Sequence, residues 1–281
     1  MAEIEIRPAT PDDVEAAYAV LVACDLGPWA YLTLEQFREW WPTYKGMWLA
    51  EKDAIVGYAA TRESEVEVYV LPSARRRAIG TGLLVEAEGA AEGPRIEVTA
   101  RRDEPAAAPF LERHGYRPSF EVWLMQIDLD HEPPEPSWPD GITVRAFRPD
   151  EARAVKELLD VAYAEEPDFR LRTFEDWSRF MLDDGSFAQH WFIAEASDGS
   201  LAGAALNWKE GYVKDLVVHP AHRRRGIGQA LLLHTLRHFR GLGAPSVSLK
   251  TDSVNTSEAW RFYERLGMRK ERTYEVFEKS R

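Results

Sequence analysis

A chain of 281 residues, 45% of them hydrophobic, is long enough for two ordinary domains with their own cores, and its composition excludes a disordered polypeptide. A formal net charge of −12 argues against nucleic acid as a partner, because neutralising phosphates needs a basic face. The single cysteine, Cys24, excludes an internal disulfide and a cysteine-based metal cluster, and reads as a small apolar filler suited to a reducing cytoplasm.

The first residues, MAEIEIRPATPDDVEAAYAV, mix acids through the segment and lack the basic-then-apolar pattern of a signal peptide. No apolar run approaches the roughly 20 residues of a membrane-spanning helix. Further along, the chain reads as a duplication. IRPATPDD from Ile6 lies over VRAFRPDE from Val144, with Arg7 on Arg145, an offset of 138 residues. TLEQFREW from Thr33 lies over TFEDWSRF from Thr173, and Gly57 lies over Gly203. RRRAIGTGLL from Arg75 lies over RRRGIGQALL from Arg223, and FLERHGY from Phe110 over FYERLGM from Phe262, an offset now grown to 152. Blocks that stay in order while the offset creeps upward mark a duplicated domain that gained a few loop residues. The helix carrying Trp40 and Trp41, like that carrying Trp177, walls either a pocket or a domain face.

Between the copies runs HEPPEPSWPDG, residues 131–141, with four prolines, which reads as an extended linker. The expected domains are therefore residues 1–130 and 142–281. In the second copy ITVRAF is a short alternating strand and DEARAVKELLDVAYA a helix with apolar spacing near 3.6. TFEDWSRFMLDD is a helix opened by Thr173. QHWFIAEA, LAGAALNWK and YVKDLVVH are three strands joined by short turns, hence antiparallel. GIGQALLLHTLRHFRGLG is a helix, SVSLKTD a strand, SEAWRFYERLG a helix closed by Gly267, and TYEVFEKS a final strand. The order βααβββαβαβ gives a mixed sheet with helices on its faces, an α/β (α+β mixed-sheet) class.

RRRGIG lies where a strand ending near Val218 meets a helix beginning near Gly228. The unpaired N–H groups and partial positive charge of a helix start make a site for an anion. Gly226 and Gly228 let the backbone approach that anion, while Arg223, Arg224 and Arg225 add charge and forked donors. A nucleotide P-loop would continue GK[ST], and a dinucleotide fold would need a third glycine; GIGQAL has neither. The chemistry implied is a pyrophosphate gripped mainly by backbone.

LVVHPAHRRRGIGQALL followed by NTSEAWRFYERLGM resembles the acetyl-CoA site of the GNAT N-acetyltransferase superfamily. The likeness extends over both copies, a tandem two-domain arrangement similar to that of the mycothiol synthases. It implies two GNAT-like domains and acetyl-CoA as co-substrate, with no metal. The main chain of Leu216, Val217 and Val218 would pair with the pantetheine arm. The N–H groups of Arg224, Arg225, Gly226, Ile227, Gly228 and Gln229 would hold the pyrophosphate, with Arg223 beside them. Asn255 and Phe262 would flank the cofactor, and Tyr263 would protonate the departing thiolate. The implied reaction is direct attack on the thioester by a primary amine of a small molecule, in a cytoplasmic monomer or homodimer. A non-catalytic CoA sensor or scaffold, and an acetyltransferase of protein N-termini or lysines, are the rival readings.

Several roles stay open. Asn255, three residues before Glu258, also fits a helix N-cap with a capping box. Lys250 stands near the place where many relatives carry a glutamate base, which leaves Asp215, Glu210, Tyr212 and Asp252 as bases acting through water. His219 and His222 read as surface residues beside the anion site. In AEEPDF, Glu165, Glu166 and Asp168 read either as a solvated loop or as a seat for a cationic amine. The first copy has Ala78 for Gly226, Leu111 for Tyr263 and Asp103 near the place of Asn255, so its expected role is structural or substrate-shaping. The frame that would instead align Gly80 with Gly226 breaks the match of Pro72 with Pro220 and is rejected.

Overall fold

The structure, a computed structural model, describes residues 4–25, 33–166, 171–182, 188–208, 211–255 and 258–281. It divides into two compact units, residues 1–122 with 273–281, and residues 123–272.

The first unit runs β1 (Glu5–Pro8), α1 (Val14–Ala23), α2 (Leu34–Trp40), β2 (Gly46–Glu51), β3 (Ile55–Arg62), β4 (Glu65–Val70), α3 (Ile79–Ala90), β5 (Arg95–Arg101), α4 (Ala107–Arg113) and the start of β6 (Arg117–Asp128). The second contains the rest of β6, then β7 (Ile142–Ala146), α5 (Ala152–Tyr163), α6 (Phe174–Leu182), β8 (Phe192–Ala196), β9 (Leu201–Trp208), β10 (Tyr212–Val218), α7 (Ile227–Gly241), β11 (Ser246–Asp252), α8 (Ala259–Arg265) and the start of β12 (Arg269–Ser280). The element order expected for the second copy is the order found, and β7 to β10 pair antiparallel as expected. Asp183 and Asp184, expected to end α6, lie outside the described residues.

Strand order in the first unit is β1-β2-β3-β4-β5-β12, and in the second β6-β11-β10-β9-β8-β7. Each unit thus takes its closing strand from the other half of the chain. Residues 274–280 of β12 pair with β5, and Phe277 enters the first unit's core. Trp123 and Met125 of β6 enter a core of the second unit with Leu232, Leu236, Val247 and Tyr263. The packing boundary at 122/123 and the proline-rich segment at 131–141 therefore differ by the length of this exchanged strand.

Helix α7 carries Ile227, Leu231, Leu232, Leu236 and Phe239 at three- and four-residue spacing, and all are buried. Each such leucine contributes about 1.5–3 kcal/mol by leaving water. The helix closes on Gly243, whose φ of +81° lets the Ala244 N–H reach back to the Phe239 carbonyl at 3.0 Å. Small residues on β9 make room for it. A Cβ placed on Gly203 would sit 2.8 Å from the Val217 carbonyl oxygen and 3.1 Å from Leu231. The same triad recurs in the first unit, where a Cβ on Gly57 would meet Leu83 at 2.8 Å and the Tyr69 carbonyl oxygen at 3.2 Å. The contacts repeat along with the sequence, which fixes Gly57 and Gly203 as equivalent.

Because the obstacle at Gly203 includes backbone, Gly203→Ala should cost about 1–3 kcal/mol through overpacking. Urea denaturation should show the lower midpoint at an unchanged slope.

Candidate active site

Strand β10 is interrupted by a bulge between Val213 and Asp215, after which it stays paired with β9 as far as Val218 opposite Gly203. Its other edge behaves differently. Parallel pairing to β11 covers Tyr212↔Ser248 and Val213↔Leu249 and then stops, so among the described residues the Asp215–Val218 edge has no strand beside it. The first unit has the same opening, with β4 meeting β5 only at Glu65↔Glu97. Leu216, Val217 and Val218 all lie on this opened edge.

After β10 the chain makes a tight turn over Pro220–His222 and enters α7 through two left-handed residues, Arg224 (φ +60°) and Gly226 (φ +90°). Among the described residues, the N–H groups of Arg224, Arg225, Gly226, Ile227, Gly228 and Gln229 donate to no other group; the first helical bond is Ala230 N–H to the Gly226 carbonyl. Open N–H donors gathered at a helix start are the arrangement that suits an anion. A Cβ on Gly228 would stand 3.5 Å from Val218 and 4.0 Å from Phe262, so the helix start, the end of β10 and α8 converge there.

The three arginines have separate duties. Arg223 donates to the Ala162 carbonyl at 2.7 Å, to Glu165 at 3.0 Å and to the Val218 carbonyl at 3.4 Å, so its side chain ties α5 to β10. Arg225 reaches His222 and the Asp140 carbonyl. Arg224 is exposed and points none of its donors at the protein among the described residues. His219 accepts from the Ala221 N–H at 3.2 Å, so both histidines hold the turn.

On α8, Tyr263 is buried at 8% exposure, and burial first, then the Asp215 charge, push its phenol well above the ordinary tyrosine range. Phe262 packs beside it. The Asn255 side chain accepts the Ala259 N–H at 3.2 Å, the capping role; Glu258 turns instead to Arg261 at 3.1 Å, so the capping box does not form. Asp215 follows the bulge, and its side chain is 12% exposed. It accepts a hydrogen bond from the Tyr163 hydroxyl at 3.1 Å and lies 3.7 Å from Lys214. The sequence reading did not single out Tyr163. Its signal was a polar-tipped aromatic ending the apolar stripe Val155, Leu159, Tyr163 of α5.

The other candidate bases are placed less well. Tyr212 is buried against Trp208, and Asp252 accepts the Val254 N–H in a local turn. Glu210 and Asp168 lie outside the described residues. Glu165 is the ion partner of Arg223. Lys250, on β11, is half-buried. Trp177 packs on Trp191 inside the second unit, and Trp40 is buried in the first.

In the first unit the loop keeps its shape. Ala78 opens α3 at φ +61° and Arg76 has φ +63°, which matches Gly226 and Arg224 and settles the frame against Gly80. Arg75 donates to the Val70 carbonyl at 3.0 Å as Arg223 does to Val218. Leu111 is a buried core residue, and Asp103 pairs with Arg101.

A splayed parallel strand pair beside a helix-start anion loop, present twice, defines a tandem acyl-CoA transferase fold. Residues 152–268 match the Acetyltransferase (GNAT) family and residues 43–118 an Acetyltransferase (GNAT) domain. The chain is 30% identical to a mycothiol acetyltransferase of Thermobispora bispora, across 94% of this chain and 95% of the relative. A mycothiol acetyltransferase of Nocardioides sp. is 32% identical over 71% and 75% of the two chains. Among solved structures, a GCN5-related N-acetyltransferase from Sphaerobacter thermophilus superposes with a TM-score of 0.80 at 27% identity, covering 99% of this chain and 95% of that one. A tandem GNAT protein from the clavulanic acid biosynthesis pathway shares the fold, with a TM-score of 0.76 over 99% and 98% at 19% identity. The chain belongs to the GNAT acetyltransferase family and is an N-acetyltransferase enzyme of its tandem type. Among the described residues no helix is long and apolar enough to cross a membrane, and no cluster of potential metal ligands occurs.

A Cβ on Gly226 would meet nothing within 4 Å, so alanine at this place costs backbone strain and makes no clash. Ala78→Gly should therefore stabilise the first unit by about 0.5–1 kcal/mol, the left-handed penalty less the added freedom of the unfolded chain. Chemical denaturation of the two proteins side by side measures this difference.

Proposed function

We propose that the second unit moves an acetyl group from acetyl-CoA to a primary amine of a small cytoplasmic molecule, by direct attack with both substrates bound. The observation carrying this reading is the opened Asp215–Val218 edge running into six N–H groups without partners among the described residues. That combination fits a ligand with an amide-bearing arm and a pyrophosphate at its end. Relatives named mycothiol acetyltransferase support a small-molecule acceptor.

Acetyl-CoA supplies an acyl thioester, already activated toward amines. Leu216, Val217 and Val218 offer main-chain groups to the pantetheine amides. The N–H groups of residues 224–229 hold the pyrophosphate, and Arg224 adds the unengaged guanidinium. Asn255 and Phe262 border the arm. A backbone N–H near Val218 faces the carbonyl oxygen as charge grows on it. Asp215 takes the proton from the acceptor amine, directly or through one water, and the Tyr163 hydroxyl holds its carboxylate in place. Tyr263 donates a proton to the departing sulfur. A phenol held above its ordinary range stays protonated at every working pH, so it remains a donor.

Thiol release from acetyl-CoA across a panel of small primary amines identifies the acceptor. With it, Tyr263→Phe should lower kcat about 100-fold and leave the KM for acetyl-CoA nearly unchanged. Unaltered turnover would remove the acid role. The wild-type enzyme should show no loss of kcat from Tyr263 ionisation up to about pH 10. Calorimetry with acetyl-CoA should give one strong site per chain, and two equal sites would contradict the assignment of turnover to the second unit alone.

A further inference from the structure

One side chain of the anion loop in the second unit reaches out of the loop to α5. All three nitrogens of the Arg223 guanidinium donate within the fold, Nε to the Val218 carbonyl at 3.4 Å, Nη1 to Glu165 at 3.0 Å and Nη2 to the Ala162 carbonyl at 2.7 Å. These bonds differ in weight. The Glu165 side chain is 73% exposed, so the ion pair with it adds little. The Ala162 carbonyl belongs to the last turn of α5, where no later turn supplies a donor. A cation at that end also meets the negative end of the helix dipole. The short bond to Ala162 is therefore the one that holds the two elements together.

Tyr163 is the next residue after Ala162. Its hydroxyl donates to Asp215 at 3.1 Å, and Asp215 stands three residues before Val218 on β10. Burial first, then the Asp215 charge and Tyr263, push the Tyr163 phenol well above its ordinary range, so the three side chains lie within electrostatic reach of one another. A closed circuit results, from Arg223 to Ala162, along one peptide to Tyr163, across to Asp215, up β10 to Val218 and back to Arg223. On its other side Arg223 adjoins Arg224, whose N–H opens the row of donors without partners among the described residues. An anion on that row would sit one peptide away from the circuit. In the first unit Arg75 keeps the strand bond, to the Val70 carbonyl at 3.0 Å, but its Nη1 turns to Glu104 at 3.0 Å. Among the described residues Arg75 donates to no carbonyl of α1. The copy with Leu111 in place of Tyr263 thus lacks this link to its first helix.

We propose that Arg223 is a positioning residue, which acts through the Ala162 carbonyl to hold Tyr163, and through Tyr163 the Asp215 carboxylate, in place for proton removal. Cofactor bound at the neighbouring N–H groups fixes the loop and tightens that hold, so the base is set before the amine arrives. The Arg223 side chain is a strut and not a ligand of the pyrophosphate. This rests on the second unit being the transferase.

Amide hydrogen exchange of the full chain with and without CoA reads this coupling and needs no acceptor. CoA should slow exchange at residues 160–166 in the wild type. Arg223→Met, which keeps the aliphatic stem, should bind CoA with unchanged affinity in calorimetry and lose that protection. With an acceptor amine in hand, Arg223→Met and Tyr163→Phe should each lower kcat about 10- to 100-fold at a nearly unchanged KM for acetyl-CoA. The double variant should lose no more than the worse single one, because both act on one carboxylate. The proposal falls if CoA binds the wild type and leaves residues 160–166 unprotected, if Arg223→Met retains the protection, if it weakens CoA binding and spares kcat, or if the two losses multiply. A wild type that binds no CoA would remove the transferase assignment and this proposal together. A wild type that binds CoA, shows the protection and acetylates no amine would count against the transferase assignment and keep the coupling.

Discussion

The second unit depends on one irregularity, the bulge between Val213 and Asp215 on β10. A bulge adds a residue on one strand and increases local twist, and it falls where the ladder to β11 ends after two pairs. Three things come together there. The main chain from Asp215 to Val218 becomes available on one side. Asp215 is turned toward Tyr163, close enough to Tyr263 for its charge to act on that phenol. The end of the strand is aimed at the start of α7, where Gly228 has both Val218 and Phe262 at the distance of its missing Cβ. The opening itself does not need the bulge, since β4 pairs regularly with β3 and still leaves β5 after Glu65↔Glu97; what the bulge adds in the second unit is the placement of Asp215.

The two copies show which parts of this device are geometry and which are chemistry. Loop shape survives in both: Arg76 and Ala78 repeat the left-handed backbone of Arg224 and Gly226, and Arg75 repeats the strut made by Arg223. An alanine held at φ +61° is strained, and the surrounding turn tolerates it because its side chain has open space, as at Gly226. The phenol does not survive, since Leu111 is packed in the core where Tyr263 stands in the other copy. Shape is retained by many small contacts and outlasts the single hydroxyl to which we assign the proton transfer.

Much of this was legible in the sequence because it is local. The helix start at Gly226, the C-cap at Gly267 and the alternation of the central strands are fixed by residues a few positions apart. The correct frame of the first loop also followed from Pro72 and Leu83, without any glycine at residue 78. What was hidden depends on partners far along the chain. RRR reads as three equivalent cations, yet Arg223 is committed to α5, 61 residues away, and only Arg224 is left unengaged. Tyr163 meets Asp215 across 52 residues. The capping box at Asn255 was plausible by spacing, but the short Glu258–Arg261 pair on the same helix end claimed the carboxylate. An alternating strand pattern likewise announces a strand and says nothing about which sheet edge it will join.

That last ambiguity bears on why a copy lacking the phenol persists. The second unit's core around Tyr263 includes Trp123 and Met125, which belong to the final strand of the first copy. The first unit's core in turn includes Phe277 from the final strand of the second. A chain cut in the proline-rich segment would leave each half without the strand that closes its core, and would remove Trp123 and Met125 from the core cluster that holds Tyr263. Burial is the first cause of the raised Tyr263 phenol, and the core cluster in which Tyr263 lies includes residues from the copy that carries no equivalent hydroxyl. Duplication followed by strand exchange thus ties the second copy's site to the survival of the first.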